Sequence, residues 1–476
     1  MKRLIVVALL AASANAYAWE DASTHAGLTE AAALGSHLHA RLKALGYERG
    51  LYEPLTIPPE DASSLVAALR QYAPTGGFVP DGRGRQYAIA WLVGGAVIAD
   101  GPFIANHFYD VWTKGGWIEP SRGVLHGLLT WMANVELFEA QDSWRDLRDE
   151  TTGVPLPERG VPAPDWVVAS NNPLAVDGFL DQYAKAIRGS SPGERSRAMA
   201  GALVAAGAIA HVLEDMGSPS HVRGDARAHL DKLGTGDADL GSRFERIAAV
   251  AYGRVGVPGP ERVITRPTLR AFFTNDQHDG LADVTAMRWF SAYTLPGTVR
   301  IGTGGRTVSP PLVKPQPAPP TRLNLMAASQ PQGTTLDDGH GVCLARYRVD
   351  RGMLSFWLDD DCMLAEVGAI LPEVSSYTAG VIDFLFRGEL DVSASGGRIA
   401  AKAKGALGAG TLELLSEDAR GVRSPLGGAR PVAASADGAA LGDAQLPDDS
   451  VRAIALFTGV DAAGEKIVAV GVVTVK

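Results

Sequence analysis

Residues 198–221 read AMAGALVAAGAIAHVLEDMGSPSH. From Ala198 to Met216 the text is rich in Ala and Gly and carries few charges, as expected of a helix buried on several sides. Gly217, Ser218 and Pro219 mark its end. The same stretch carries His211, Asp215 and His221 as H-x3-D-x5-H. Residues four apart share a helix face, so His211 and Asp215 point the same way. The Gly-Ser-Pro break lets the chain turn so that His221 can approach from a loop. Imidazole with carboxylate is a ligand set suited to zinc. The blander alternative for these three residues alone is a capped helix carrying a His–Asp surface pair.

Outward from this helix, the text from about Thr29 to Arg300 reads mostly helical. Leu28, Ala32, Leu38, Leu42 and Leu45 give one amphipathic stretch, and Leu65, Leu69 and Tyr72 another. The pattern fails from Gly302 to Pro320, where six prolines fall between Pro310 and Pro320, the mark of an extended connector. Strand-like text follows at Val342–Val349 and Gly352–Leu358. Helical spacing returns over Pro372–Arg387, so the excursion, at about 300–350, reads as an insertion and the main domain closes near Gly388. Residues 390–476 differ in kind: Phe457 is their one aromatic residue, and they have no His, Cys or Trp. Short apolar runs at Arg398–Lys404, Thr411–Leu415, Val451–Thr458 and Lys466–Lys476, separated by Gly, Asp and Pro clusters, predict a small β-sandwich. The expected fold is therefore mainly α, a multi-helical domain over 19–388 with a β-sandwich over 389–476.

Composition sets the outer bounds. The chain has 476 residues, 46% hydrophobic, enough to bury a sizeable core, which excludes disorder for most of its length. With 44 Lys+Arg against 53 Asp+Glu, a basic nucleic-acid groove is excluded as the main theme and no stable nucleic-acid partner is expected. Lys2 and Arg3, an apolar run from Leu4 to Ala12, and Ala16-Tyr17-Ala18 have the layout of a signal peptide over 1–18 with an A-x-A cleavage site. Its apolar core is too short to span a bilayer, so export to a periplasm or the medium is expected. Cleavage would leave Trp19 as the first residue and shift the net charge from −9 to −11. In an exported protein the two cysteines, Cys343 and Cys362, are expected to pair.

Two further clusters carry ligand chemistry. Asp100 and His107 lie in ADGPFIANHFYD, where an apolar helix from Trp91 ends at an acid and a loop leads to the histidine; the bland alternative is a satisfied core histidine. Trp19 and His25 lie in WEDASTH, where a free α-amine and carbonyl with a histidine six residues on could clamp a metal; the alternative is a frayed terminus.

Taken together, the processed Trp19, the W-x5-H opening, the NHFYD stretch and H-x3-D-x5-H resemble the zinc-dependent phospholipase C family, and more distantly the single-strand zinc nucleases of that superfamily. The resemblance runs from Trp19 to about Gly388. It implies a helical domain with two or three zinc ions in a cleft. One ion would lie among Asp100, His107, His211 and Asp215. Another would take the Trp19 amino and carbonyl groups, His25 and a bridging Asp215. The third would take His221 with the family's final H-x3-E element. Glu245 fits that last acid, but Gly241 stands where the family has His; Asp237, Asp239, Ser242 and His229 are nearby substitutes that spacing does not separate, and Asp239 is the one carried forward. The Asp100–His107 spacing is also shorter than in the best-known members.

The function implied is hydrolysis of a phospholipid to diacylglycerol and a phosphorylated head group, with Asp100 orienting or deprotonating the attacking water. Some members of the family meet membranes through a C-terminal β-domain, so peripheral membrane contact by 389–476 is a further expectation. Two alternatives stand beside this. A zinc nuclease would need aromatic platforms, for which Tyr109, Trp112 and Trp117 are candidates. A secreted, metal-stabilised binding protein with weak or no catalysis would follow if Gly241 costs a site its metal.

Overall fold

The computed structural model describes residues 21–56, 85–99, 101–118, 159–172, 174–230, 243–252, 256–301 and 323–475. The signal-peptide segment, Leu65–Tyr72 and the prolines from Pro310 to Pro320 lie outside them. The principal helices are α1 (Ala26–Gly35), α2 (Ala88–Ile98), α3 (Val176–Arg188), α4 (Pro192–Glu214), α5 (Arg243–Tyr252) and α6 (Asp360–Leu385).

Helix α4 begins in a capping box: the Ser191 hydroxyl accepts from the Glu194 amide at 3.2 Å, the Glu194 carboxylate accepts from the Ser191 amide at 3.2 Å, and Pro192 takes the first turn. From Ala198 to Glu214 nearly every residue is buried, because α1, α2, α3 and α6 all pack against it. By length and composition α4 could cross a membrane, but it lies inside the body of the protein. Its small residues allow close approach. A Cβ at Gly207 would stand 1.9 Å from the Leu92 carbonyl oxygen of α2, and one at Gly95 of α2 would stand 2.0 Å from that of Val204. Dispersion contacts at that backbone spacing replace the long side chains other helix pairs use.

The insertion forms an antiparallel sheet of β1 (Val299–Arg300), β2 (Thr334–Asp337), β3 (Cys343–Asp350) and β4 (Met353–Trp357), in the order β1-β4-β3-β2. A disulfide joins Cys343 at the start of β3 to Cys362 in the first turn of α6, with Cα atoms 4.9 Å apart. Asp359 caps that helix, its carboxylate accepting from the Cys362 amide at 3.0 Å.

The C-terminal strands are β5 (Glu389–Ser395), β6 (Arg398–Lys404), β7 (Leu407–Asp418), β8 (Arg423–Pro425), β9 (Arg430–Val432), β10 (Ala440–Gln445), β11 (Ser450–Asp461) and β12 (Lys466–Thr474). They form one curled, mixed sheet, β8-β7-β11-β12-β5-β6-β10, with β9 also on β7. A single parallel pair, Val470 of β12 with Glu389 of β5, joins its two antiparallel halves, and both halves send apolar residues into one core. With this sheet and the insertion, the chain is mixed in class rather than mainly α.

Alternation along the strands gives the sheet two working faces. Leu415, Ile454, Leu456, Val468 and Val470 join the helical core, while Leu412, Leu414, Ala453, Ala455, Phe457 and Ala469 build a second core on the far side. Glu413 and Glu417 share the helix-facing side with Leu415. Glu413 accepts from Arg188 of α3 at 2.9 Å. Buried Glu417 pairs with Arg423 at 2.7 Å, Arg452 at 3.2 Å and Arg195 of α4 at 3.4 Å.

One carboxyl in the core is not matched in this way. Glu366 of α6 is fully buried, neither of its oxygens has a hydrogen-bond partner, and burial, only partly offset by the Arg223 charge, pushes its pKa well above the ordinary 4.5. A carboxyl raised in the folded state binds protons more tightly there than in the unfolded chain, so its cost to stability appears as pH rises past its ordinary value. Glu366→Gln should therefore raise the denaturation midpoint at pH 8 and leave it nearly unchanged at pH 4. Gly207→Ala should cost about 1–3 kcal/mol or more through overpacking against α2, seen as a lower Tm in thermal unfolding.

Candidate metal centre

Four segments deliver the site. A π-helical turn, Asp21–His25, leads into α1 and carries His25. A short 3-10 turn, Gly101–Asn106, leads to His107. The end of α4 brings His211, Glu214 and Asp215, and a short helix, Pro219–Val222, brings His221. The stretch after His107 runs beside the one at His221: the Tyr109 amide donates to the His221 carbonyl at 3.0 Å, and His221 Nδ1 donates to the His107 carbonyl at 2.8 Å.

The first group is centred on Asp215. Its Oδ1 lies 3.2 Å from His25 Nε2, and its Oδ2 lies 3.0 Å from His107 Nδ1 and 3.4 Å from His211 Nε2. All four side chains are fully buried. The backs of two rings are fixed by oxygen atoms. His25 Nδ1 faces Glu214 Oε2 at 2.7 Å, and His211 Nδ1 faces the Ala96 carbonyl at 2.7 Å. Glu214 is held in turn by the Thr29 hydroxyl at 2.9 Å. In neutral rings both Nδ1 atoms then carry the proton, and both Nε2 lone pairs point at the Asp215 carboxylate.

A lone pair facing an anionic oxygen at this distance is repulsive unless a cation lies between them. His25 Nε2 and both Asp215 oxygens are buried without a hydrogen-bond partner, as a donor set for a metal would be. Burial opposes ionisation of Asp215, but the surrounding imidazoles of His211, His221 and His107 outweigh it and hold the carboxyl well below its usual range. For His25, burial and the neighbouring His211 pull the pKa down, while the adjacent Asp215 carboxylate and the hydrogen bond to Glu214 leave it raised.

The second group is His221, His229 and Glu245. His221 Nε2 lies 3.2 Å from His229 Nδ1 and 3.6 Å from Glu245 Oε1, and His229 Nδ1 lies 3.5 Å from Glu245 Oε2. Ser218 donates to Glu245 Oε1 at 2.9 Å, while Oε2 is buried with no hydrogen-bond partner. Burial lowers the His221 pKa, keeping the ring neutral and able to ligate. Phe108 stacks on His221 with centroids 4.0 Å apart and walls this group from the side.

The donor atoms of His25, His211 and Asp215 lie within 4.8 Å of one another, as do those of His221, His229 and Glu245. Of the residues singled out from sequence, His25, His107, His211 and Asp215 come together, and His221 lies with Glu245. Trp19, Asp100, Asp239 and Gly241 lie outside the described residues. The imidazole seated beside Glu245 is that of His229, one of the substitutes that spacing left open, carried on a short helix, Ala226–Leu230, directly after His221. Glu214 went unnoticed; its only signal was a second acid beside Asp215. The three candidate platforms are not open faces: Tyr109 and Trp117 are buried, and the Arg223 guanidinium sits 5.1 Å from the Trp112 ring centroid.

No family model and no curated protein matches the sequence. Two solved structures align over most of their length. "Alpha Toxin from Clostridium Absonum" is 9% identical, covering 97% of this chain and 96% of that one, with a TM-score of 0.28. A Clostridium perfringens alpha-toxin from avian strain SWCP is 9% identical, covering 97% and 100%, with a TM-score of 0.27. Likeness at that level adds no argument to the geometry.

Glu214 orients His25, so Glu214→Gln should keep the fold and weaken binding of a divalent metal about 10–100-fold, measured by competition with a chromogenic chelator.

Proposed function

We propose that the chain is an exported, zinc-dependent phosphodiester hydrolase of the phospholipase C type, releasing a phosphorylated head group and leaving diacylglycerol. The observation that carries this reading is the pair of adjacent, buried His–carboxylate groups, joined where the His107 carbonyl accepts from His221. His25, His107, His211 and Asp215, together with Trp19 and Asp100, would hold one or two zinc ions, and His221, His229 and Glu245 a further one. When bound, zinc supplies Lewis acidity toward phosphate oxygens and a water of lowered pKa.

The chain's own residues supply placement. The Ala96 carbonyl and Glu214 fix the rings of His211 and His25, and Asp215 offers each of its oxygens to a different imidazole. Phe108 limits the access of water on one side, and Asp100 is assigned to orient or deprotonate the attacking water. A net charge of −9 gives the protein little cationic surface for a phosphate, which fits a site whose positive charge comes from metal. The disulfide is consistent with an oxidising compartment.

A nuclease reading loses support because its candidate ring platforms are covered. A purely metal-stabilised binding protein loses its motive because His229 stands beside Glu245. The test is metal analysis of mature protein, with phospholipid and single-stranded DNA assayed side by side. Two or more zinc ions per chain are expected, with phospholipid turnover lost to a chelator and restored by zinc. His211→Ala should lower metal content and cut activity by about 100-fold or more. Turnover of DNA alone would overturn the lipase assignment, and unchanged metal and activity in His211→Ala would overturn the site.

A further inference from the structure

A cleft of about 270 Å³ opens beside the second group. Each of the three ligand candidates there has a chain neighbour on the cleft wall: Ser220 before His221, Ala228 before His229, and Phe244 before Glu245. The rest of the wall is largely apolar, built by Phe290, Leu295, Phe356, Trp357 and Met363. Among the described residues no carboxylate lines it, and the one cation there, Arg243, is paired with Asp360 at 2.7 Å. Phe356 and Trp357 belong to β4 of the insertion, and Met363 follows the disulfide-bonded Cys362.

We propose that this cleft is the subsite for the alkyl chain of the substrate, so that the insertion determines which phosphodiesters are taken. The inference rests on the phosphodiesterase reading for the polar end of the ligand. The wall supplies the rest: its described residues offer apolar surface to a chain. A chain that leaves water for such a wall gains affinity in proportion to its length.

The experiment uses butyl, hexyl and octyl phosphate, titrated calorimetrically into the full mature protein with zinc, beside methyl phosphate and thymidine 5′-monophosphate. Affinity should rise about three- to fourfold per methylene until the cleft is full. Ala292→Trp, which fills the cleft, and Leu295→Asn, which makes its wall polar, should each flatten that slope while leaving methyl phosphate binding unchanged. A wild-type affinity independent of chain length would overturn the proposal, as would a slope retained in both variants. Tighter binding of the thymidine nucleotide than of octyl phosphate would overturn it in favour of an aromatic occupant. Retention of the slope in wild type, its loss in the variants and no phospholipid turnover would leave the cleft standing and remove the hydrolase reading.

Discussion

A helix surrounded by other helices cannot end in water, and this constraint organises the protein. The last carbonyls and side chains of α4 emerge among buried residues, where each polar group needs a partner inside the fold. The chain meets the demand by placing its ionisable residues there. Glu214 turns to Thr29 and His25, Asp215 meets three imidazoles, and the Gly-Ser-Pro break starts the short helix that returns His221 to the same place. The central packing and the site are thus two aspects of one element: small residues seal α4 along its length, and the polar residues concentrate at its end.

The electrostatics of that end are unbalanced without a cation. Imidazoles with their Nδ1 protons committed to carbonyl and carboxylate acceptors present only lone pairs to Asp215. Protonating them would restore attraction, but several imidazolium ions in one buried volume repel one another and are costly to desolvate. A divalent ion resolves both difficulties at once, because ring nitrogens and carboxylate oxygens then face the same positive charge.

What the sequence revealed was local. The 198–221 stretch disclosed a buried helix and a histidine and an acid on one face of it, since four-residue spacing is a property of the helix itself. Strand text after residue 390 was legible from short apolar runs between Gly, Asp and Pro clusters, and in one of them Ile454 and Leu456 face one side of β11 and Phe457 the other. Long-range choices were not legible. The parallel contact of β5 with β12, which links the two antiparallel halves of the sheet, joins strands separated by almost the entire domain. His229 lies on the other side of a long intervening stretch from Glu245, so no fixed spacing links them. Glu214 acts through His25, a residue on a different segment, and a single acid beside Asp215 carries no sign of that.

The disulfide has a consequence for the cleft wall. Phe356, Trp357 and Leu358 lie between Cys343 and Cys362, inside a covalently closed loop. Closing a loop of this size removes about 3 kcal/mol of freedom from the unfolded chain. This part of the wall is therefore tied covalently to α6 as well as packed on the helical core through Leu344, Tyr347 and Leu354.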